Sequence, residues 1–252
     1  MKFYLLSVFL LITLFSIGQD FEDVSAQLGI NHTFLSGGIF GGGASFMDFD
    51  GDGWDDITLA TEEGSDIHFY KNNNGSFNRV FFNGLTQQCQ SKQVLWVDID
   101  NDGDKDFFAA CHGAANRLFE NIGNMNFQDI TLSASLDLIE ESTFGTSFGD
   151  INNDSYLDLF VMNRSNYDRN SILYLNNGDN TFSDITISAG VHNIPSGPFC
   201  GTFLDYNEDG FQDFFIAQDK YLGNVLFENN GNETFEDMSI SSGFNHPLDA
   251  MS

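Results

Sequence analysis

A chain of 252 residues with 41% hydrophobic and 15% aromatic content can bury a sizeable core as one β-rich domain, which excludes an acidic disordered tail. The 9 Lys and Arg stand against 37 Asp and Glu, a formal charge of -28, so phosphate backbones and anionic membrane surfaces are repelled and nucleic acid is excluded as a partner.

The first element is an export signal over residues 1–18. Lys2 supplies the basic start, Tyr4 to Phe15 an apolar run broken by Ser7 and Thr13, and Ser16-Ile17-Gly18 a small-residue cleavage site before Gln19. The run is shorter than the ~20 residues of a spanning helix, so no membrane insertion is expected. Secretion or display at the cell surface is the expected location. Cys89, Cys111 and Cys200 are an odd number for such a chain, so at least one thiol is unpaired within it. All three sit among apolar or small residues, and their spacing fits buried core positions better than zinc ligation.

Phe21-Glu-Asp-Val-Ser25 opens the mature chain and matches Phe235-Glu-Asp-Met-Ser239, each with a glycine eight residues after its Phe (Gly29 and Gly243). The chain thus begins part-way through a repeat, and this strand expects a partner from the far end. Between these ends four segments align: Asp48-Phe-Asp-Gly-Asp-Gly-Trp-Asp-Asp56, Asp98-Ile-Asp-Asn-Asp-Gly-Asp-Lys-Asp106, Asp150-Ile-Asn-Asn-Asp-Ser-Tyr-Leu-Asp158 and Asp205-Tyr-Asn-Glu-Asp-Gly-Phe-Gln-Asp213. Their starts are 50, 52 and 55 residues apart, a period suited to blades of a β-propeller.

An aromatic (Phe46, Trp96, Phe148, Phe203) stands two residues before each segment, and an apolar run follows directly, as in Phe107-Phe-Ala-Ala110. Each acidic loop therefore joins two strands. A strand ending in Asn comes next, as in Asn116-Arg-Leu-Phe-Glu-Asn121 and Asn224-Val-Leu-Phe-Glu-Asn229, and after a turn another such as Phe127-Gln-Asp-Ile-Thr131. That makes about four strands per repeat, an all-β propeller of about four blades over residues 19–252. Continuing the period places a fifth loop just beyond Ser252, next to a strand-like Leu248-Asp-Ala-Met-Ser252. A truncated larger ring and a compact ring closed by the strands at hand both fit.

Oxygen donors at loop positions 1, 3, 5 and 9, a main-chain carbonyl at 7 and glycine at 6 suit a hard cation taking six to eight oxygens, and calcium fits best. Position 12, where an EF-hand needs a bidentate Glu, holds Leu59, Ala109, Val161 and Ile216, all strand residues. The nine-residue strand-loop-strand form resembles the calcium loops of FG-GAP repeats in integrin α-subunit propellers and of bacterial VCBS repeats. The Phe-Glu-Asp-Val-Ser opening is similar to the start of exported VCBS proteins related to cartilage acidic protein. The resemblance covers nearly the whole mature chain and implies up to four structural calcium ions and a role in adhesion or surface assembly.

The expected metal positions are Asp48, Asp50, Asp52, Trp54 and Asp56 in loop one; Asp98, Asp100, Asp102, Asp104 and Asp106 in loop two; Asp150, Asn152, Asp154, Tyr156 and Asp158 in loop three; and Asp205, Asn207, Asp209, Phe211 and Asp213 in loop four. Loops one and two carry the full acidic set and should bind most strongly. Loop three, with Asn152 and with Ser155 where glycine is wanted, should bind least. Without a cation the crowded carboxylates repel, so calcium should couple to folding.

Gly145-Thr-Ser147-Phe-Gly149 satisfies the G-x-S-x-G nucleophile pattern. Its place on the strand entering loop three, rather than on a strand-to-helix turn, makes it structural. His32, His68, His112, His192 and His246 are dispersed without metal-ligand spacing. Tyr167 and Tyr221 could stack on sugars but read equally as loop residues. No catalytic residue emerges, and the chain is expected to be a binding scaffold toward an extracellular protein or carbohydrate. The alternative is the propeller scaffold of a secreted carbohydrate-active lyase or hydrolase, which needs a convergent His, Lys, Tyr or Arg cluster.

Overall fold

The computed structural model describes residues 21–34, 41–136, 141–164, 171–192, 194, 197–219 and 222–245. The signal peptide, Tyr167, Tyr221, His246 and the segment 248–252 lie outside the described residues. All secondary structure that follows is β, in four blades of four antiparallel strands taken in chain order, the second and third blades being hydrogen-bonded into one eight-stranded sheet. Blade one is β1 (Ala44–Met47), β2 (Asp56–Leu59), β3 (His68–Asn73) and β4 (Ser76–Val80). Blade two is β5 (Gln90–Val97), β6 (Asp106–Ala114), β7 (Arg117–Asn121) and β8 (Phe127–Asp129). Blade three is β9 (Glu141–Gly149), β10 (Asp158–Asn163), β11 (Ile172–Asn176) and β12 (Phe182–Asp184). Blade four is β13 (Pro198–Leu204), β14 (Asp213–Gln218), β15 (Val225–Asn229) and β16 (Phe235–Asp237).

Every acidic segment is the connection between the first and second strands of its blade. The last strand pair before the loop is Met47 with Asp56, Val97 with Asp106, Gly149 with Asp158 and Leu204 with Asp213. The ninth-position Asp is thus already part of the sheet. The first strands pack side by side in the order β1, β5, β9, β13, giving a propeller-like arrangement with an incomplete ring.

The core lies between blades. One apolar cluster joins blades one and two through Phe49, Phe69, Trp96 and Phe107. A second joins two and three through Ile99, Phe108, Leu118 and Leu159, and a third joins three and four through Ile151, Phe160, Phe214 and Phe227. β6 and β10 belong to blades covered on both faces, so β10 is buried at every position and β6 through Cys111, where β2 alternates. This is why their sequences are continuous apolar runs. Burying one such Phe side chain contributes about 1.5–3 kcal/mol.

Successive blades are also stitched by backbone. The N–H of Phe77, Phe127, Phe182 and Phe235 donates to the carbonyl of Leu28, Asn83, Ala134 and Ala189, each in the segment that ends the preceding repeat, at 2.8–2.9 Å. The turn before the Leu28, Ala134 and Ala189 carbonyls is pinned by an Asp-x-Ser/Thr in which Asp23, Asp129 and Asp184 accept the N–H two residues on, and Asp237 repeats the turn in blade four.

Two expectations are corrected. Phe21-Glu-Asp forms no strand, and Phe21 is 92% exposed where its counterpart Phe235 is buried, because no neighbouring strand lies against it among the described residues. The cysteines are not three buried thiols. Cys89 and Cys111 form a disulfide with Cα atoms 5.8 Å apart, and Cys200, beside the irregularity in β13, is exposed.

Candidate metal centres

In all four loops the ninth-position Asp is buried and bridges the loop to the sheet. One oxygen accepts the N–H of the second loop residue: Phe49 to Asp56 at 3.1 Å, and Ile99 to Asp106, Ile151 to Asp158 and Tyr206 to Asp213 at 2.9 Å. The other accepts the N–H of the Asn near or at the end of the third strand: Asn72 at 2.7 Å, and Asn121, Asn176 and Asn229 at 2.8 Å. Burial, with the loop carboxylates nearby, pushes Asp106 and Asp158 up to about 7 and raises Asp56 and Asp213 in the same direction. A cation beside them would reverse that cost.

The exposed half of each loop is wound around its first residue. Oδ2 of Asp48, Asp98, Asp150 and Asp205 accepts the N–H of position 6 at 2.7–3.2 Å. Position 5 accepts the N–H of position 7: Trp54 to Asp52, Asp104 to Asp102, Tyr156 to Asp154 and Phe211 to Asp209 at 2.8–3.0 Å. Position 6 lies at positive φ in every loop, at 91° for Gly53 and 76° for Ser155, so the serine of loop three adopts a conformation that favours glycine.

The structure brings ligand oxygens of Asp48, Asp50 and Asp56, and of Asp98, Asp100 and Asp106, within 4.8 Å of one another. Two oxygens bound to one calcium at 2.3–2.6 Å can be at most about 5 Å apart, so both sets fit one ion. Asp50 Oδ1, Asp98 Oδ1 and Asp104 Oδ1 are buried without a hydrogen-bond partner, which is the condition a cation relieves. In loops three and four neutral Asn152 and Asn207 stand at position 3, which lowers the charge there, and their amides donate to Asp154 and Asp209 at 2.9 and 3.0 Å.

Three residues outside the nine-residue pattern belong to these centres. Lys71 pairs with Asp50 and Asp52 of loop one, and its ammonium is held charged well above the ordinary lysine range by hydrogen bonds to both. Glu120 stands by loop two, raised by burial and by Asp100 and Asp102. Asn180 of blade three reaches Glu120 Oε1 at 3.1 Å. For Lys71 and Glu120 the signal in the sequence is the residue just before the recurring strand Asn, which differs from blade to blade; Asn180, in the turn after β11, carries no such signal.

An FG-GAP-like repeat model matches residues 48–109, 98–161 and 150–216. The chain belongs to the FG-GAP-like repeat family. The FG-GAP chain is also similar in fold to an Agrocybe aegerita lectin solved in a study of its specific recognition of non-reducing terminal N-acetylglucosamine, with a TM-score of 0.49 and 16% identity over 82% of this chain and 55% of that one. A second similar structure is the Photorhabdus luminescens Tc holotoxin pore, with a TM-score of 0.39 and 17% identity over 74% of this chain and 8% of the other. The FG-GAP chain therefore spans about half of the first structure and a small part of the second. A sequence comparison with curated proteins gave no match.

The FG-GAP architecture also accounts for the G-x-S-x-G pattern. Ser147 lies inside β9, in register with Phe160 of β10. A Cβ on Gly145 would come within 3.0 Å of the Phe199 carbonyl, and one on Gly149 within 2.5 Å of the Phe203 ring. Both glycines therefore serve blade packing. At the other end of these strands His112, Lys92 and Arg164 gather around Phe144, with ring or cation distances of 5.4, 5.9 and 5.5 Å. Burial lowers both His112 and Lys92, and Arg164 pairs with Asp219 at 2.6 Å. No helix among the described residues is long and apolar enough to cross a membrane.

Proposed function

We propose that this FG-GAP chain is an exported calcium-binding scaffold whose loops and blade edges are presented to an extracellular protein or carbohydrate. The observation that carries the reading is the convergence of carboxylate oxygens in loops one and two, with buried oxygens left without partners. When bound, calcium supplies charge neutralisation that lets those acids crowd together. Asp48, Asp50, Asp52, Asp56 and the carbonyl of Trp54 would hold it in loop one, and Asp98, Asp100, Asp102, Asp106 and the carbonyl of Asp104 in loop two. The ion is structural: it fixes the hairpin that begins each blade, and the rigid blade carries the binding surface. Residues 1–18 provide the export address, and the charge of -28 favours neutral or cationic surfaces as partners.

A second reading, the scaffold of a secreted carbohydrate-active enzyme, is favoured by the His112, Lys92 and Arg164 group around Phe144. Calorimetric titration with calcium, followed by glycan and extracellular-protein arrays with calcium and with chelator, separates the readings. Absence of any calcium heat would sink the metal assignment. Depolymerisation of an acidic polysaccharide that Lys92→Met abolishes would move the assignment to the enzyme.

A further inference from the structure

The position directly before the strand Asn is Lys71, Glu120, Leu175 and Glu228 in the four blades. Each neighbours the Asn whose N–H is held by the ninth-position Asp, so it stands beside its own loop. In blade one alone this position carries a cation. The Lys71 ammonium pairs with Oδ2 of Asp50 and, at 2.9 Å, with Oδ2 of Asp52, two of the carboxylates a metal in loop one would share. Loop two has the opposite arrangement. Glu120 and Asp104 add to Asp98, Asp100, Asp102 and Asp106, and among the described residues no ammonium is paired with them.

We propose that Lys71 is a tethered internal cation of loop one, which keeps that loop wound without calcium and yields only when calcium is abundant, so that loop two fills first. The proposal rests on the calcium reading above. An incoming dication must either displace the ammonium from Asp50 and Asp52 or share the loop with it. At such close range the repulsion between the ammonium and a dication, even in water, amounts to roughly a tenfold or greater change in affinity. The two strongest-looking acidic sets in the sequence are therefore unequal, and one chain carries a constitutive loop beside a calcium-responsive one.

The test uses terbium as a calcium stand-in, its emission sensitised by Trp54 in loop one. The purified full chain is compared with Lys71→Met and Lys71→Arg, all folded in calcium and then exchanged, with Trp54→Phe identifying the loop-one signal against any from Trp96. The expected result is that Lys71→Met saturates at terbium concentrations at least tenfold below those of the parent chain, while Lys71→Arg follows the parent. Coincident curves for Lys71→Met and the parent overturn the proposal, as does a Lys71→Arg chain that behaves like Lys71→Met. Calcium calorimetry on the same samples separates the two layers: heat from the parent chain with coincident terbium curves defeats only the Lys71 proposal, whereas no heat from any chain defeats the calcium reading and the proposal with it.

Discussion

Asn229 donates its side-chain amide to the carbonyl of Ile151, 78 residues earlier and in the neighbouring blade, at 2.8 Å. The same side chain donates to Gln212 and accepts from Gly231, and Asn176 repeats the arrangement on Ile99. One buried amide thus ties a turn, a loop and the next blade together.

Asn229→Ala should therefore destabilise the fold by about 2 kcal/mol, since it strands buried groups on both blades. The exposed Asn230→Ala, which loses a bond to Thr234, should change stability by under about 0.5 kcal/mol. Denaturant melts of the two variants check the contrast.

Chelation should lower the melting temperature of the whole chain, because the loops open every blade. Each loop filled at a hundredfold excess over its dissociation constant adds about 2.7 kcal/mol. Asp98→Asn in loop two should remove more of the calcium-dependent rise than Asp150→Asn in loop three. A calorimetric scan of each, with and without chelator, reads this out.

Ser155 sits at a φ of 76°; its N–H goes to Asp150 and its carbonyl accepts from the Asn101 amide, bonds that a glycine would keep. Ser155→Gly should stabilise the chain by about 1 kcal/mol. Calcium titration of the same variant should show tighter binding in loop three. Gly103→Ser, the reverse change at a φ of 95°, should cost a similar amount.

His68 packs against His32 with ring centroids 4.4 Å apart and the rings tilted by 60°, next to Tyr70, which donates to the Asn31 carbonyl at 3.1 Å. Burial first, then Arg79 and His32, lowers His68 to about 4, while Glu62 and Asp66 oppose the shift. The unfolded chain therefore binds a proton between pH 6.5 and 4 that the folded chain refuses. Its contribution is full above about pH 6.5 and is lost as pH falls toward 4. The protection factor of the Phe77 N–H, which donates to Leu28, should fall over that window once the intrinsic slowing of exchange in acid is divided out, and His68→Phe should flatten the response.

The blades were legible because two signals coincide: carboxylates at alternate loop positions, and apolar runs beginning one residue after the ninth position, as at Phe107-Phe108. The loop boundaries could be read to the residue, since Asp106 and Asp158 open their strands. Less legible were features set by neighbours in space. Nothing near Lys71 in the chain announces Asp50, 21 residues away. The Cys89–Cys111 pairing depends on how the segment entering blade two returns along β6, and the Phe21 segment forms no strand because none lies against it among the described residues. The fourth loop position is at positive φ in Gly51, Asn101, Asn153 and Glu208, and no single residue type announces it in the sequence.

The disulfide closes a stretch of 22 residues, so reduction or the double change Cys89→Ser with Cys111→Ser should cost about 3 kcal/mol. Melts with and without reductant check it, and the double variant should be insensitive to reductant.

Cys111 lies five residues along β6 from Asp106, roughly 17 Å at the usual strand rise, so a disulfide fastens one end of β6 and the buried, doubly hydrogen-bonded Asp106 the other. On the loop side the fastening runs sideways as well, from Asn101 to Ser155 and from Asn153 to Gly210. On the calcium reading proposed above, a calcium-poor fluid would loosen one rim of the molecule, and a reducing one the other. Under pulling or protease attack in either setting, the blade would swing open from one side while staying riveted at the opposite margin, and it could reseat when conditions recover.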